Sequence, residues 1–226
     1  MSEQIYDVWW DNDKREAEME TAHQNGWKDT ISLMKEKDLS AYSVLDFGCN
    51  RGGFLRTLYQ EKPFKEGIGI DLGTESIQIA EERKQGLPLH YMTTGVPGKT
   101  GKTFDIGFCL SVIYLIEDLE DHAQKIKQVL NTGGAYYITY TELPKNKSFP
   151  YFKESIEGYS KLQVQSHTID DIAFAFMQEG FQVEVQRKIP NGFISISGEQ
   201  NGFRSIHDQL ISQYEQAYLF RMTLPS

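Results

Sequence analysis

The chain has 226 residues, 39% of them hydrophobic and 24% charged, with a formal net charge of −9 and a pI near 5.1. That length closes one substantial core and is short for two enzymatic domains, and no run approaches the ~20 apolar residues that a membrane crossing needs. Lysines are scattered along an acidic chain, which argues against nucleic acid as a partner and in favour of a small-molecule substrate. The segment MSEQIYDVWWDNDKRE turns acidic where a secretory leader would have a basic head and an apolar run, so a cytoplasmic location is expected. Cys49 and Cys109 stand far apart with no CxxC and no histidine cluster, so neither a metal site nor a disulfide framework is expected.

The first 41 residues read as a helical cap, with Tyr6, Trp9 and Trp10 at i, i+3 and i+4 forming an aromatic face. From Ser43 onward, short apolar runs alternate with helical patterns, the mark of βαβ units around a parallel sheet. Strands are expected at Ser43 to Phe47, Gly67 to Asp71, Leu89 to Met92, Phe104 to Cys109, Ala135 to Tyr140, Phe181 to Arg187 and Ala217 to Thr223. Helices are expected at Phe54 to Tyr59 and Glu75 to Lys84, and along Leu119, Ala123, Ile126 and Leu130, which recur on one helical face. Asn131, Gly133 and Gly134 should stop that last helix. Thr168 and Asp171 form a capping box ahead of Ile172, Phe174, Ala175, Phe176 and Met177, with Gly180 as the stop. Residues 143–167 break the alternation and read as an inserted lid. The expected organisation is one domain: a cap over 1–41, a cofactor-binding core over 42–142, the lid, and a closing αβ unit and hairpin over 168–226. No internal repeat or flexible linker divides it.

The segment Val44-Leu45-Asp46-Phe47-Gly48-Cys49-Asn50-Arg51-Gly52-Gly53-Phe54 is a buried strand, a glycine-rich turn and the start of a helix. A ligand lying across the carboxyl end of such a strand needs backbone without Cβ atoms, which Gly48 and Gly52 supply. Asp71 ends the next strand 19 positions after Gly52, where a carboxylate can accept both hydroxyls of an adenosine ribose. Glycines alone would equally serve nicotinamide or flavin cofactors. Asp46 separates the readings, because a carboxylate at that strand end repels a pyrophosphate and suits a ligand carrying an amino group and a sulfonium.

These residues resemble the first motif of the class I methyltransferase family, an acidic residue followed by spaced glycines after an apolar strand. Asp46, Gly48 and Gly52 match it, and Asn50 replaces the middle glycine, a residue that tolerates left-handed backbone. The resemblance implies an α/β three-layer sandwich with a seven-stranded, mostly parallel sheet, an antiparallel last strand, helices on both faces, and small N-terminal and inserted lids. It implies S-adenosylmethionine as cofactor and S-adenosylhomocysteine as product. Cys49 and Asn50 would lie in the cofactor loop, Asp71 and Leu72 at the ribose, Thr93 near the adenine in place of the family's acid-small pair, and Ser111 and Val112 at the pocket lip.

Methyl transfer to an oxygen, nitrogen or carbon of a small acceptor is therefore expected. No catalytic residue stands out, since the sulfonium already activates the methyl group. His122 is the candidate base, weighed against the plainer reading of a packed or surface histidine. Tyr6, Trp9, Trp10, Tyr114 and Tyr151 are candidate substrate contacts, weighed against core packing. Glu117, Asp118, Glu120 and Asp121 read as charges at a helix N-terminus and not as a metal site. The competing functions are an RNA or other nucleic-acid methyltransferase and a non-catalytic S-adenosylmethionine-binding protein. The sequence leaves the oligomeric state open.

Overall fold

The structure, a computed structural model, describes residues 13–160, 162–196 and 202–225. In chain order the elements are α1 (Asp13–Leu33), β1 (Leu39–Phe47), α2 (Gly53–Glu61), β2 (Phe64–Asp71), α3 (Thr74–Arg83), β3 (Leu89–Thr93), β4 (Phe104–Leu110), α4 (Leu119–Val129), β5 (Leu130–Thr141), α5 (Phe149–Tyr159), α6 (Ile169–Gln178), β6 (Gln182–Arg187), α7 (Ile206–Glu215) and β7 (Ala217–Thr223). The strands form one seven-stranded sheet in the order β3-β2-β1-β4-β5-β7-β6. All neighbours run parallel except β7, which lies antiparallel between β5 and β6. The central strands are apolar on both faces because both faces are covered. One core layer gathers Leu45, Ile126, Ile138, Phe176 and Phe220 beneath α4 and α6. The other gathers Val44, Leu55, Leu58, Phe108 and Tyr137 beneath α1, α2 and α3.

Strand order reverses at β1. The chain steps outward from β1 to β2 and β3, then returns to place β4 on the other flank of β1. Crossovers on opposite sides of that point leave a crevice outside the carboxyl ends of β1 and β4, the place where open α/β sheets bind ligands. The sequence motif ending in Gly48 and the segment ending in Ser111 both reach it.

All seven expected strands are present, and Thr168 caps α6 through the full reciprocal capping box with Asp171. Two differences concern element ends. The helix expected to run through Leu130 ends at Val129; Leu130 turns extended (φ −90°, ψ 132°) and β5 begins at once. Asn131 to Gly134 thus form an irregular strand entry and not a loop: the β4/β5 register shifts there, and Gly133 has a positive φ of 78°. The sequence pattern also passed over α5 and α7, although Ser205 caps α7 by accepting from the Asp208 N–H at 3.1 Å.

A buried polar cluster ties the α5 segment to α7. Asn146 Nδ2 donates to the Asp208 carbonyl and to Gln216 Oε1, both at 2.9 Å, and Ser148 Oγ donates to Asp208 Oδ2 at 2.8 Å. The Arg204 N–H closes the cluster onto Ser148 Oγ at 2.8 Å. At the other end of the segment the Gln165 N–H donates to the Tyr114 carbonyl at 2.8 Å, and Tyr140 Oη donates to the His167 carbonyl. Because Asn146 is only 5% exposed, Asn146→Ala strands buried acceptors and should lower the unfolding free energy by about 1–3 kcal/mol. Urea denaturation checks this, and a change within roughly 0.5 kcal/mol would contradict the role given to the cluster.

Candidate functional site

Four hydrogen bonds set the turn between β1 and α2, and a fifth ties it to the turn after β2. The Gly48 and Cys49 N–H groups both donate to the Ile70 carbonyl, at 2.8 and 3.0 Å, and the Gly52 N–H returns to the Cys49 carbonyl at 2.8 Å. The Asp71 carboxylate accepts from the Asn50 N–H at 2.9 Å and from the Gly73 N–H at 2.8 Å. One side chain thereby fixes the turns after β1 and β2. Gly48, Asn50 and Gly52 have φ of 76°, 46° and 70°. A Cβ on Gly48 would lie 2.4 Å from Val112 Cγ2, and one on Gly52 would lie 2.4 Å from Tyr91 Oη. The glycines thus admit the protein's own side chains to the turn.

The crevice deepens into a cavity of about 770 Å³, toward the large end of the ~300–1,000 Å³ usual for ligand sites. Of the sequence-derived candidates, Asp46, Gly48, Cys49, Asn50, Asp71, Leu72, Ser111, Val112 and Tyr114 line it. Ser111 holds a left-handed φ of 59° with its N–H on Thr139 Oγ1 at 2.9 Å. Such backbone stores about 1–3 kcal/mol and clusters at functional sites.

Four candidates lie elsewhere. Gly52 sits behind the turn against Tyr91, whose hydroxyl donates to the Gly52 carbonyl at 3.2 Å. Thr93 shares strand parity with buried Leu89 and Tyr91 on β3, so the cavity wall is formed by the next residues, Thr94 and Gly95. His122 is buried in the core, with Nε2 3.2 Å from Tyr136 Oη and its ring edge-on to Phe47 at 4.7 Å; burial pushes its pKa down to about 3. It does not line the cavity and belongs to the packing of α4. Tyr151 is 52% exposed, its ring covered by the Arg204 guanidinium at 5.2 Å, while its neighbours Phe149 and Phe152 face the cavity. Tyr6, Trp9 and Trp10 lie outside the described residues.

Several lining residues escaped the sequence reading. Met19, Glu20, His23, Gly26, Trp27 and Thr30 of α1 form one wall. Their spacing is helical, but their mixed chemistry carries no apolar periodicity. Glu20 bridges Arg56 at 2.7 Å and Arg83 at 3.0 Å, holding α1 on α2 and α3. Lys188 gives its ammonium to the Gly26 carbonyl at 3.2 Å and Thr30 Oγ1 at 3.0 Å. Phe203, Ser212 and Tyr218 complete the far side.

Two titratable groups in the cavity stand out. Asp46 is 2% exposed and its Oδ2 has no hydrogen-bond partner; burial, aided by the Asp71 charge, pushes its pKa up to about 8. A buried carboxylate without a donor is expensive unless it is protonated or paired with a cation. The His23 ring lies against Trp27, and burial lowers its pKa, so it is neutral at pH 7. Both thiols are free and buried, and burial raises their pKa values, which leaves them unreactive. Among the described residues no three His, Cys, Asp or Glu side chains gather as a metal site, and no helix is long and apolar enough to cross a membrane.

The family model described as a methyltransferase domain matches residues 38–184, from the start of β1 into β6. The chain is a class I methyltransferase, dependent on S-adenosylmethionine. A chain in the complex between the Haloferax volcanii Trm112 methyltransferase activator and its methyltransferase superposes with a TM-score of 0.76 at 19% identity, over 95% of both chains. Phosphoethanolamine N-methyltransferase 2 of Haemonchus contortus, bound to S-adenosylmethionine, gives 0.65 at 19% identity, over 89% of this chain and 53% of that one. An S-adenosylmethionine-dependent methyltransferase of Mesorhizobium loti gives 0.65 at 13% identity, over 87% and 96%. At these identities the likeness is one of fold. No curated protein sequence matches the chain.

The methyltransferase cavity suits its cofactor, since the unpartnered Asp46 oxygen asks for positive charge and the anchored Asp71 carboxylate can take hydroxyls. A cation beside Asp46 favours its charged form, so binding drives off a proton wherever the free carboxyl is protonated, that is, below about pH 8. S-adenosylmethionine affinity should therefore rise with pH up to about 8. Calorimetry at pH 7 in buffers of different ionisation enthalpy should show proton release, and Asp46→Asn should abolish it. An affinity flat between about pH 6 and 9 would contradict the assignment.

Proposed function

We propose that this methyltransferase acts on a small molecule held beside the cofactor beneath α1 and the 143–167 lid. The observation that carries this reading is continuity. A single cavity is lined by the turn residues of β1 and β2, by α1, and by Phe149, Phe152 and Val164 of the lid. A half-open cleft of about 770 Å³ accommodates a cofactor and a small acceptor side by side. The net charge of −9 adds to the case against a polyanion.

In this reading Asp71 accepts the ribose hydroxyls and Leu72, Thr94 and Gly95 flank the adenine. Gly48, Cys49 and Asn50 present backbone along the amino-acid portion, and Asp46 faces its positive charge. Ser111 and Val112 border the reacting end. When bound, S-adenosylmethionine supplies a methyl group already activated by its sulfonium. The protein's task is then placement, which is worth up to about 7–11 kcal/mol when the reactants are held in line. His23, neutral and facing the cavity, is the side chain we assign to take up the acceptor's proton on a ring nitrogen. Helix α1 and the 143–167 segment act as cap and lid over the 42–142 core.

Titration with S-adenosylmethionine and S-adenosylhomocysteine should give micromolar binding, weakened roughly ten- to a hundredfold in Asp71→Ala through the loss of charge-assisted hydrogen bonds. Wild-type protein that binds neither would sink the site. Tight, salt-sensitive retention of bulk RNA would favour a nucleic-acid substrate instead.

A further inference from the structure

The part of the cavity beyond the cofactor turn has its own chemistry. Every described residue that the 143–165 segment contributes to the wall is apolar except Gln165, and the segment after β4 adds Tyr114, Leu115 and Ile116. The Tyr114 and Phe152 rings meet edge to face, centroids 5.9 Å apart and planes at 64°, so they present a mixed aromatic surface and not a box of ring faces around a cation. Among the described residues the charged side chains lining the cavity are Glu20, Asp46, Arg51, Asp71 and Lys188, none of them on the lid or the segment after β4. Glu20 is engaged by Arg56 and Arg83, Asp71 by two backbone N–H groups, and the Lys188 ammonium by two oxygens of α1. Arg51 and Asp46 belong to the cofactor turn.

An ion placed against the lid wall would lose its hydration without gaining a counter-charge from the described residues there, a penalty that a neutral apolar molecule does not face. The chamber nevertheless carries neutral polar atoms on one side: Thr139 and Thr141 from β5, and Ser212 and Tyr218 from α7 and β7. Resting on the methyltransferase reading above, we infer that the methyl acceptor is an uncharged, predominantly apolar molecule that carries a single hydroxyl or comparable neutral nucleophile, with its apolar body against the lid.

Three probes of one shape and different charge test this on protein saturated with S-adenosylhomocysteine: 2-naphthol, 2-naphthoate and 2-naphthylmethylammonium. Calorimetry should show 2-naphthol binding at least roughly tenfold more tightly than either ion. Phe152→Ala should lose the naphthol affinity and keep that for S-adenosylhomocysteine; Val164→Thr, which holds the side-chain volume, should do the same in milder degree and covers the case in which the larger change unfolds the lid. Either ion binding as tightly as 2-naphthol overturns the inference. So does S-adenosylhomocysteine binding with no probe bound, which leaves the methyltransferase reading standing. Failure to bind S-adenosylhomocysteine overturns that reading and the inference with it.

Discussion

The Asp71 carboxylate, receiving the N–H of Asn50 on one side and of Gly73 on the other, couples the turn after β1 to the turn after β2 and so determines the shape of the crevice. The coupling is possible because β1 and β2 run parallel and end together, Phe47 opposite Ile70. The Ile70 carbonyl then takes the Gly48 and Cys49 N–H groups. What remains at the crevice floor is a ring of backbone fixed in direction and a carboxylate held in place by both turns. Both can bind without rearranging, which keeps the cost of ordering a ligand low.

This arrangement is held against its own cost. Asn50 and Ser111 occupy left-handed backbone, at about 1–3 kcal/mol apiece, and Asp46 keeps an oxygen buried without a donor. The compensation lies in the two core layers either side of the sheet, where Phe54, Phe108 and Tyr137 pack ring on ring on one face and Tyr136, Phe176 and Phe181 on the other, each set with one edge-to-face and one stacked pair. Strain concentrated at the strand ends and packing concentrated between them is the division expected of a binding scaffold. The cap and lid add walls through polar links: Glu20 to Arg56, Lys188 to Thr30, and Asn146 to Gln216.

The sheet was legible because its central strands are buried on both faces and read as compact apolar runs between turn residues, and the capping box of α6 announced itself through Thr168 and Asp171. The cofactor end was legible for a related reason: Asp46, Gly48, Asn50 and Asp71 are close in sequence and dictated by local geometry. Thr93 and Thr94 show where resolution ended, because which of two adjacent hydroxyl residues turns over a strand end depends on where pairing with β2 stops. His122 shows another limit. Its place after β4 resembled a pocket position, but α4 turns it inward onto Phe47 and Tyr136. His23 was invisible because its place at the cavity depends on how α1 packs on α2, which no local pattern records. Tyr151 and Phe152 are neighbours with opposite exposure, separable only once α5 is known to be a helix.

The most direct measurement is a crystal structure of the protein with S-adenosylhomocysteine. The account predicts the ribose hydroxyls on the Asp71 carboxylate, the amino group on the Asp46 side of the turn, and the sulfur facing the chamber beneath Phe149 and Phe152. A ligand lodged in that chamber with Asp71 untouched, or bound anywhere other than the crevice between β1 and β4, would contradict it.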